Sequence, residues 1–400
     1  MKKSIFRLLS LFLVLTTVFA LAACGSKEPV ECPESEATTA PTVPPETTTE
    51  AITETTTEAT TSEVEPNRFV TDTSETAAES TAQTEPAGPV NYLTGVALAE
   101  DADPLYRPTA VSVNNLKIAA KFQSGLSLAD IIYEVEVEGG ITRLLAVFSD
   151  PTMVGTLGSV RSARPVMNCI VLGHDAYFVH SGGSKQAYSE LATYGIPDID
   201  GMKKYAGYFY YDDAVVAASS LEHGYFTTGE KVGAALESFV SSGGRSQVNE
   251  GYNNIFLFYE EPTAPENGLP AAVVTTSYGG YKPQFIYDAE SGAYAREQYG
   301  APHVDYATGE QLYFDNVIVL SVESSVIPGD SAGRRDFDDV GSGVGILATR
   351  GTYINIKWEK ESYTSPIVLT TEDGSPLTVN VGKTFISYVN GEKNISVSAE

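Results

Sequence analysis

Apolar and polar positions change their rhythm along this 400-residue chain, and each change marks a different kind of segment. Residues 8–23 form an uninterrupted apolar run behind Lys2, Lys3 and Arg7. Residues 26–89 then carry Thr, Glu, Ser and Pro with almost no large apolar side chain. From Tyr92 to about Phe239 short apolar runs of strand length alternate with longer runs of helical period. This predicts strands over 109–113, 133–137, 143–148 and 176–179, a helical turn over 127–130, and helices over 165–172, 184–194 and 229–240. Gly195 stops the second helix, and the Ser-Ser-Gly-Gly of 241–244 ends the third. Beyond a Gly/Pro-rich stretch the period becomes two and helix signals vanish. Strands are expected over 273–278, 284–287, 293–296, 312–321, 346–349, 353–358, 367–370 and 384–389. Turns are expected at Glu290-Ser291-Gly292 and Asp373-Gly374.

The fold class that follows is α+β. A mixed α/β domain over 90–245 leads through a connection over 246–268 to a mainly β domain over 269–395. The preceding segment, 24–89, cannot bury enough apolar surface to offset backbone ordering, so it reads as a disordered tether. As a flexible coil its r.m.s. reach is about 45 Å.

Charge narrows the partners. The formal net charge is −27, and 1–23 contributes +3 and 24–88 contributes −12, which leaves −18 on the body. Such a surface repels phosphate backbones, so nucleic acid is excluded as a partner. The basic start and apolar run are those of a secretory signal over 1–23, closing in Leu21-Ala22-Ala23-Cys24-Gly25. That closing motif resembles a bacterial lipobox, in which the cysteine thiol is acylated and the chain is cut just before it. Cys24 is therefore the expected lipidation site. The expected location is the outer face of the bacterial cytoplasmic membrane, with the bilayer as a partner through two lipid signals. Cys32 falls in the tether and Cys169 in a helix, so no disulfide framework is legible.

Chemistry concentrates between Ile131 and Lys185. Phe178-Val179-His180-Ser181-Gly182-Gly183-Ser184-Lys185 reads as strand, Gly-rich turn and helix start, a geometry that attracts an anion or, alternatively, simply caps the helix at Ser184. Arg161 and Arg164 stand at another helix start, where cations oppose the helix dipole. Either the row Glu134, Glu136 and Glu138 compensates them, or a bound phosphate or carboxylate does. The candidate ligand-binding set is Arg143, Arg161, Arg164, His180, Ser181, Gly182, Gly183 and Ser184. Glu134, Glu138 and His180 are the acid/base candidates. With His223 they match no metal-ligand spacing, so no metal and no cofactor is expected. Gly329-Asp330-Ser331-Ala332-Gly333 fits G-x-S-x-G but lacks the flanking strand and helix, and reads as a loop. Gly341-Ser342-Gly343-Val344-Gly345 reads as a turn.

The run RPTAVSVNN, SGLSLADIIYEVEVEGGITRLLAVF, VGTLGSVRSARP and VHSGGSKQAY resembles the YerB-like family of bacterial lipoproteins. Pro302-His303-Val304-Asp305, Asn316-Val317-Ile318-Val319, Lys357-Trp358-Glu359-Lys360 and Gly382-Lys383-Thr384-Phe385 extend the resemblance to about residue 390. It implies paired N- and C-terminal domains and an extracytoplasmic location, and it implies no activity. The stretch Leu221-Glu222-His223-Gly224 departs from the family pattern in being more acidic. Three functions stay open: a binding or accessory module for an anionic envelope group or an envelope protein, a hydrolase of envelope polymers, and a structural spacer.

Overall fold

The computed structural model describes residues 88–400, so the expected signal, nearly all of the tether and Cys24 lie outside the described residues. In chain order the first strands are β1 (Thr109–Asn114), β2 (Ile131–Glu138), β3 (Ile141–Phe148), β4 (Tyr177–His180) and β5 (Asp198–Asp200). Between and after them come helices α1 (Pro165–Gly173), α2 (Lys185–Tyr194) and α3 (Gly229–Ser241). The later strands are β6 (Val273–Thr276), β7 (Gln284–Asp288), β8 (Ala293–Gln298), β9 (Asn316–Ser321), β10 (Gly341–Thr349), β11 (Thr352–Lys360), β12 (Thr384–Val389) and β13 (Ile395–Ser398). The mixed α/β part and the mainly β part therefore follow each other as the pattern predicts.

One eleven-stranded mixed sheet runs through both parts, in the order β11-β10-β9-β12-β2-β3-β1-β4-β5, with Leu269–Pro270 and Val368–Thr371 both added on β11. The seam is β2 beside β12. These strands pair in parallel from Ile131 opposite Thr384 to Glu134 opposite Ser387. Both faces of the middle of this sheet are covered, which is why β1, β3, β9 and β12 are buried nearly throughout, whereas β11 at its edge alternates. Alternate residues serve two cores. Ile131, Tyr133, Leu145, Val147, Ile318 and Ile386 pack with α1 and α2 on one face. Ile132, Leu144, Ala146, Val317 and Phe385 pack on the other with the second sheet. That six-stranded sheet contains β8, β7, β6 and β13 in this order, and it supplies Val274, Phe285, Tyr294 and Phe314.

Local signals explain the helices of the first part. Pro165 occupies the first turn of α1, where its missing N–H is no loss. Ser184 caps α2 by accepting from the Ala187 N–H at 3.1 Å, and Gly195 closes it at φ 62°. Thr228 caps α3 through the Lys231 N–H.

Three sequence expectations need correction. Residues 341–345 are not a turn but the start of β10, paired with β11 from Gly341 opposite Lys360 to Gly345 opposite Ile356, and Gly343 leaves room for Trp358, whose Nε1 would lie 2.5 Å from a Cβ there. The run 312–321 is not one strand: Tyr313–Phe314 pairs with β8 in the second sheet, and β9 begins after Asp315 in the central one. Glu134, Glu136 and Glu138 do not act as one row, because the register of β2 on β3 shifts between Glu136 and Glu138. A bulge of this kind breaks the two-residue alternation. The G-x-S-x-G segment is the loop joining Ser324–Val326 to Arg335–Phe337, as expected.

The two parts are also joined by charge. Glu134 on β2 and Arg296 on β8 form an ion pair at 2.7 Å with neither side chain exposed at all. Asn115 and Thr142 each donate to the other Glu134 oxygen at 2.8 Å. Arg296 also donates to Gln298, to the Tyr281 hydroxyl and to His303 Nδ1. His303 Nε2–H in turn donates to Gln123. Burial, and then the neighbouring Arg296, hold the His303 imidazole well below its ordinary pKa, so it stays neutral and can accept from the guanidinium. Arg296→Met would leave Glu134 charged and uncompensated, a loss on the order of 3–5 kcal/mol. Arg296→Lys should not restore it, because an ammonium lacks the planar fork that meets four acceptors. Urea unfolding of the two variants checks this; equal stability of the Lys variant and the wild type would contradict it.

Candidate functional site

The segment Val160–Ala163 is pinned on both sides. The Val160 N–H donates to the Tyr225 carbonyl at 2.8 Å, and the Arg161 N–H to the Ser112 carbonyl of β1 at 2.9 Å. From the β4 side the Ser181 N–H donates to the Arg161 carbonyl, while the Ala163 N–H donates to the Gly182 carbonyl. The two Gly/Arg-rich motifs singled out in the sequence therefore lie side by side at the end of β1 and β4. Together they floor an open cleft of about 680 Å³. Arg161, Ser162, Ser181, Gly182 and Gly183 line it from this side. Met202, Tyr211, Leu221, Glu222 and Tyr225 line the other.

Asp200, at the end of β5, shapes the floor. Its Oδ1 accepts from the Gly182 and Met202 N–H groups at 2.9 Å, and its Oδ2 from the Tyr188 hydroxyl at 2.7 Å. Gly182 sits at φ +74°, a conformation that side chains rarely adopt, and this lets the turn fold back onto Asp200. Burial pushes the Asp200 carboxyl up, but the Tyr188 hydroxyl and the two amides outweigh it and hold it below the ordinary value.

The charged candidates part company here. Arg164 forms a bidentate pair with Glu138 at 2.6 and 2.7 Å, and Arg143 donates to the same carboxylate at 3.3 Å and to the Ser162 carbonyl. Burial raises the Glu138 pKa, and the two arginines more than reverse it, so the carboxylate stays ionised. Glu134 is closed on Arg296, as described above. His180 is fully buried; its Nδ1–H donates to the Gly182 carbonyl at 2.8 Å, and its Nε2 faces Asp198 at 3.2 Å. None of Glu134, Glu138 and His180 lines the cleft, and neither do Arg143, Arg164 and Ser184. Ser184 is the cap of α2, and His223 lies behind the wall against Asn114.

His180, Asp198 and Asp200 do bring three ligand-type atoms within 4.8 Å of one another. Both Asp200 oxygens already accept from three donors, and His180 is engaged at both nitrogens, so the trio is built as a brace for the Gly turn. Arg161 is the charged candidate that stays in the cleft, beside Ser181, Gly182 and Gly183, with its side chain 18% exposed. It donates to the Glu222 carbonyl at 2.9 Å and to its carboxylate at 3.3 Å. Sequence reasoning did not single out Glu222, Tyr211, Tyr225 or Asp200 as site residues. No local pattern could have paired Glu222 with Arg161 across 61 positions.

Comparison with known proteins adds the kinship. The "Protein of unknown function (DUF3048) N-terminal domain" matches residues 93–242, and the corresponding C-terminal domain matches 272–386. The chain belongs to the DUF3048 family. It is 31% identical over 296 residues to the Bacillus subtilis (strain 168) protein "Putative lipoprotein YerB", covering 73% of this chain and 84% of that protein. The crystal structure of YerB from Bacillus subtilis superposes with a TM-score of 0.66 at 30% identity, covering 77% of this chain and 99% of that one. The expected YerB-like resemblance thus holds through both DUF3048 halves, and the family's description gives no activity.

The Asp200 brace is testable. A carboxylate whose folded pKa is depressed adds stability that is present above its unfolded value, 3.8, and is lost as pH falls through the folded one. Asp200→Ala should cost about 1 kcal/mol by leaving two part-buried amides without their acceptor. Asp200→Asn keeps the accepting Oδ1, so it should lose less at neutral pH and show a shallower stability decline below pH 3.8. Denaturation curves from pH 2 to 7 for the three proteins check the order; equal losses for Ala and Asn would contradict it.

Proposed function

We propose that the protein is a membrane-anchored extracytoplasmic binding module of the cell envelope, held through acylated Cys24, whose ligand site is the Arg161 cleft. The observation that carries this reading is the cleft's construction. Its floor comes from the two motifs singled out in the sequence, and its one arginine is the one not closed on Glu138. A cleft of this volume falls within the usual range of small-ligand sites. An anionic envelope group is the ligand that Arg161 favours. The lipobox at Cys24 and the kinship with a protein named as a lipoprotein support the location. The geometry weighs against the hydrolase reading, because Glu134 and Glu138 are each neutralised by arginine and lie outside the cleft.

The test uses the chain from residue 24 with Cys24→Ser, and the same chain carrying Arg161→Ala. Melting temperatures are measured with inorganic phosphate, muropeptides and teichoic-acid fragments. Binding to the folded state raises the melting temperature by mass action. At least one anionic probe should raise it in the parent and not in the Arg161→Ala variant. No shift in the parent, or an undiminished shift in the variant, overturns the reading.

A further inference from the structure

Arg161 meets Glu222 in a particular way. One guanidinium N–H reaches the Glu222 main-chain oxygen at 2.9 Å, and a second reaches a carboxylate oxygen of the same residue at 3.3 Å. The first contact is short and belongs to the backbone. The second is long, and the side chain that makes it is 61% exposed. Meanwhile Arg161 Nε is buried with no hydrogen-bond partner. A planar fork that holds its counter-ion by one long, solvent-facing bond while a further N–H goes unmet is only partly satisfied.

The wall beside it is of another character. Tyr225 stacks face to face on Phe209 with centroids 5.3 Å apart, and its hydroxyl donates to the Gly201 carbonyl at 2.6 Å, so its ring is fixed. Tyr211 leans on Tyr225 with centroids 4.8 Å apart. Leu221 and Met202 leave more than half of their surfaces in solvent at the same cleft. A free inorganic ion would use none of this.

We infer that Glu222 is a built-in occupant of the ligand's place: the cleft takes a carboxylic acid whose carboxylate displaces the Glu222 side chain from Arg161, while its body lies on the Tyr211–Tyr225 wall. The inference rests on the cleft being the ligand site, as proposed above. The acid's carboxylate takes the N–H that the Glu222 carboxylate holds now, as a charge-assisted hydrogen bond, while the Glu222 main-chain oxygen keeps the N–H it has. The entering acid exchanges one exposed ion pair for another that its body on the tyrosine wall reinforces, and it releases the Glu222 side chain to water. Glu222 thereby sets a threshold: weak monoanions without a body to stack do not displace it. The acid could belong to a sugar or to a peptide end. The chemistry at Arg161 is the same for both.

Calorimetric titration of the Cys24→Ser chain from residue 24 separates the possibilities. The probes are N-acetylmuramic acid, N-acetyl-D-alanyl-D-alanine, N-acetylglucosamine as a sugar without a carboxylate, and inorganic phosphate. At least one of the two acids should bind, and which one does tells the sugar source from the peptide source. Glu222→Gln, which keeps the main-chain oxygen and removes the competing charge, should tighten that acid by about two- to fivefold, the scale of an exposed ion pair. Arg161→Ala should weaken it by at least about tenfold, the scale of a charged hydrogen bond. Arg161→Lys, which keeps the charge and loses the fork, should still be weakened, and it guards against a folding defect in the Ala variant. If phosphate or N-acetylglucosamine binds as tightly as the acids, or Glu222→Gln fails to tighten the acid, the displacement mechanism is wrong while the cleft remains a ligand site. If no probe binds either the parent or Glu222→Gln, the inference fails; the binding-module reading then stands or falls on the thermal-shift panel.

Discussion

The Glu134–Arg296 pair is the constraint on which the rest of the structure depends. It ties β2, the middle strand of the central sheet, to β8 of the second sheet, with both charges removed from water. Such a pair is tolerated only where hydrogen bonds meet the remaining oxygens and N–H groups. Asn115, Thr142, Tyr281, Gln298 and His303 meet all of these except the Arg296 Nε–H, and they come from both parts of the chain. The pair therefore fixes how the second sheet seats on β2. With β2 held, β12 can lie parallel to it and β3 antiparallel on its other side.

From that frame the cleft follows. The bulge in β2 sends Glu138 to Arg143 and Arg164, and these two arginines anchor the start of α1 and the Ser162 carbonyl. Both motifs of the floor are thereby immobilised from below: the Arg161 segment by β1 and the Arg143 guanidinium, the Gly turn by Asp200. The pairing of Arg161 with Glu222, by contrast, is long at 3.3 Å and its carboxylate side chain is exposed. The floor of the cleft is thus tied to the sheet by hydrogen bonds from both of its motifs, while its one ion pair faces solvent.

Much of this was legible in the sequence, for identifiable reasons. Strands buried on both faces, such as β3 and β12, announce themselves as unbroken apolar runs. Ser184, Gly195 and Thr228 mark helix ends through local hydrogen bonds and φ. The adjacency of the Arg161 and His180–Gly183 motifs was anticipated as a shared polar constellation, and the pairing of arginines with glutamates was one of the readings kept open. The illegible features are non-local. Nothing near Glu134 points to Arg296, 162 positions away. The bulge at Glu136–Glu138 leaves no mark in an alternating run, and Gly343 is explained only by the indole that packs over it. Glu222 and the tyrosine wall enter the cleft from residues 202–225, over which the sequence pattern predicts no helix or strand.

The central claim is that the two family segments form one cooperative unit through the seam at β2 and β12. Two native probes belong one to each segment, and Cys169 also packs against the second, its thiol 3.6 Å from the Tyr363 carbonyl. Cys169, buried in α1, reacts with thiol reagents only when its surroundings open. Trp358, the single tryptophan, lies on β11 and reports by fluorescence. The decisive measurement is urea unfolding of the chain from residue 24 with Cys24→Ser and Cys32→Ser, followed by both probes at once. Coincident transitions with one midpoint are expected of a two-state unit. Cys169 becoming reactive at a urea concentration where Trp358 still gives its native signal, or the reverse, would contradict the account.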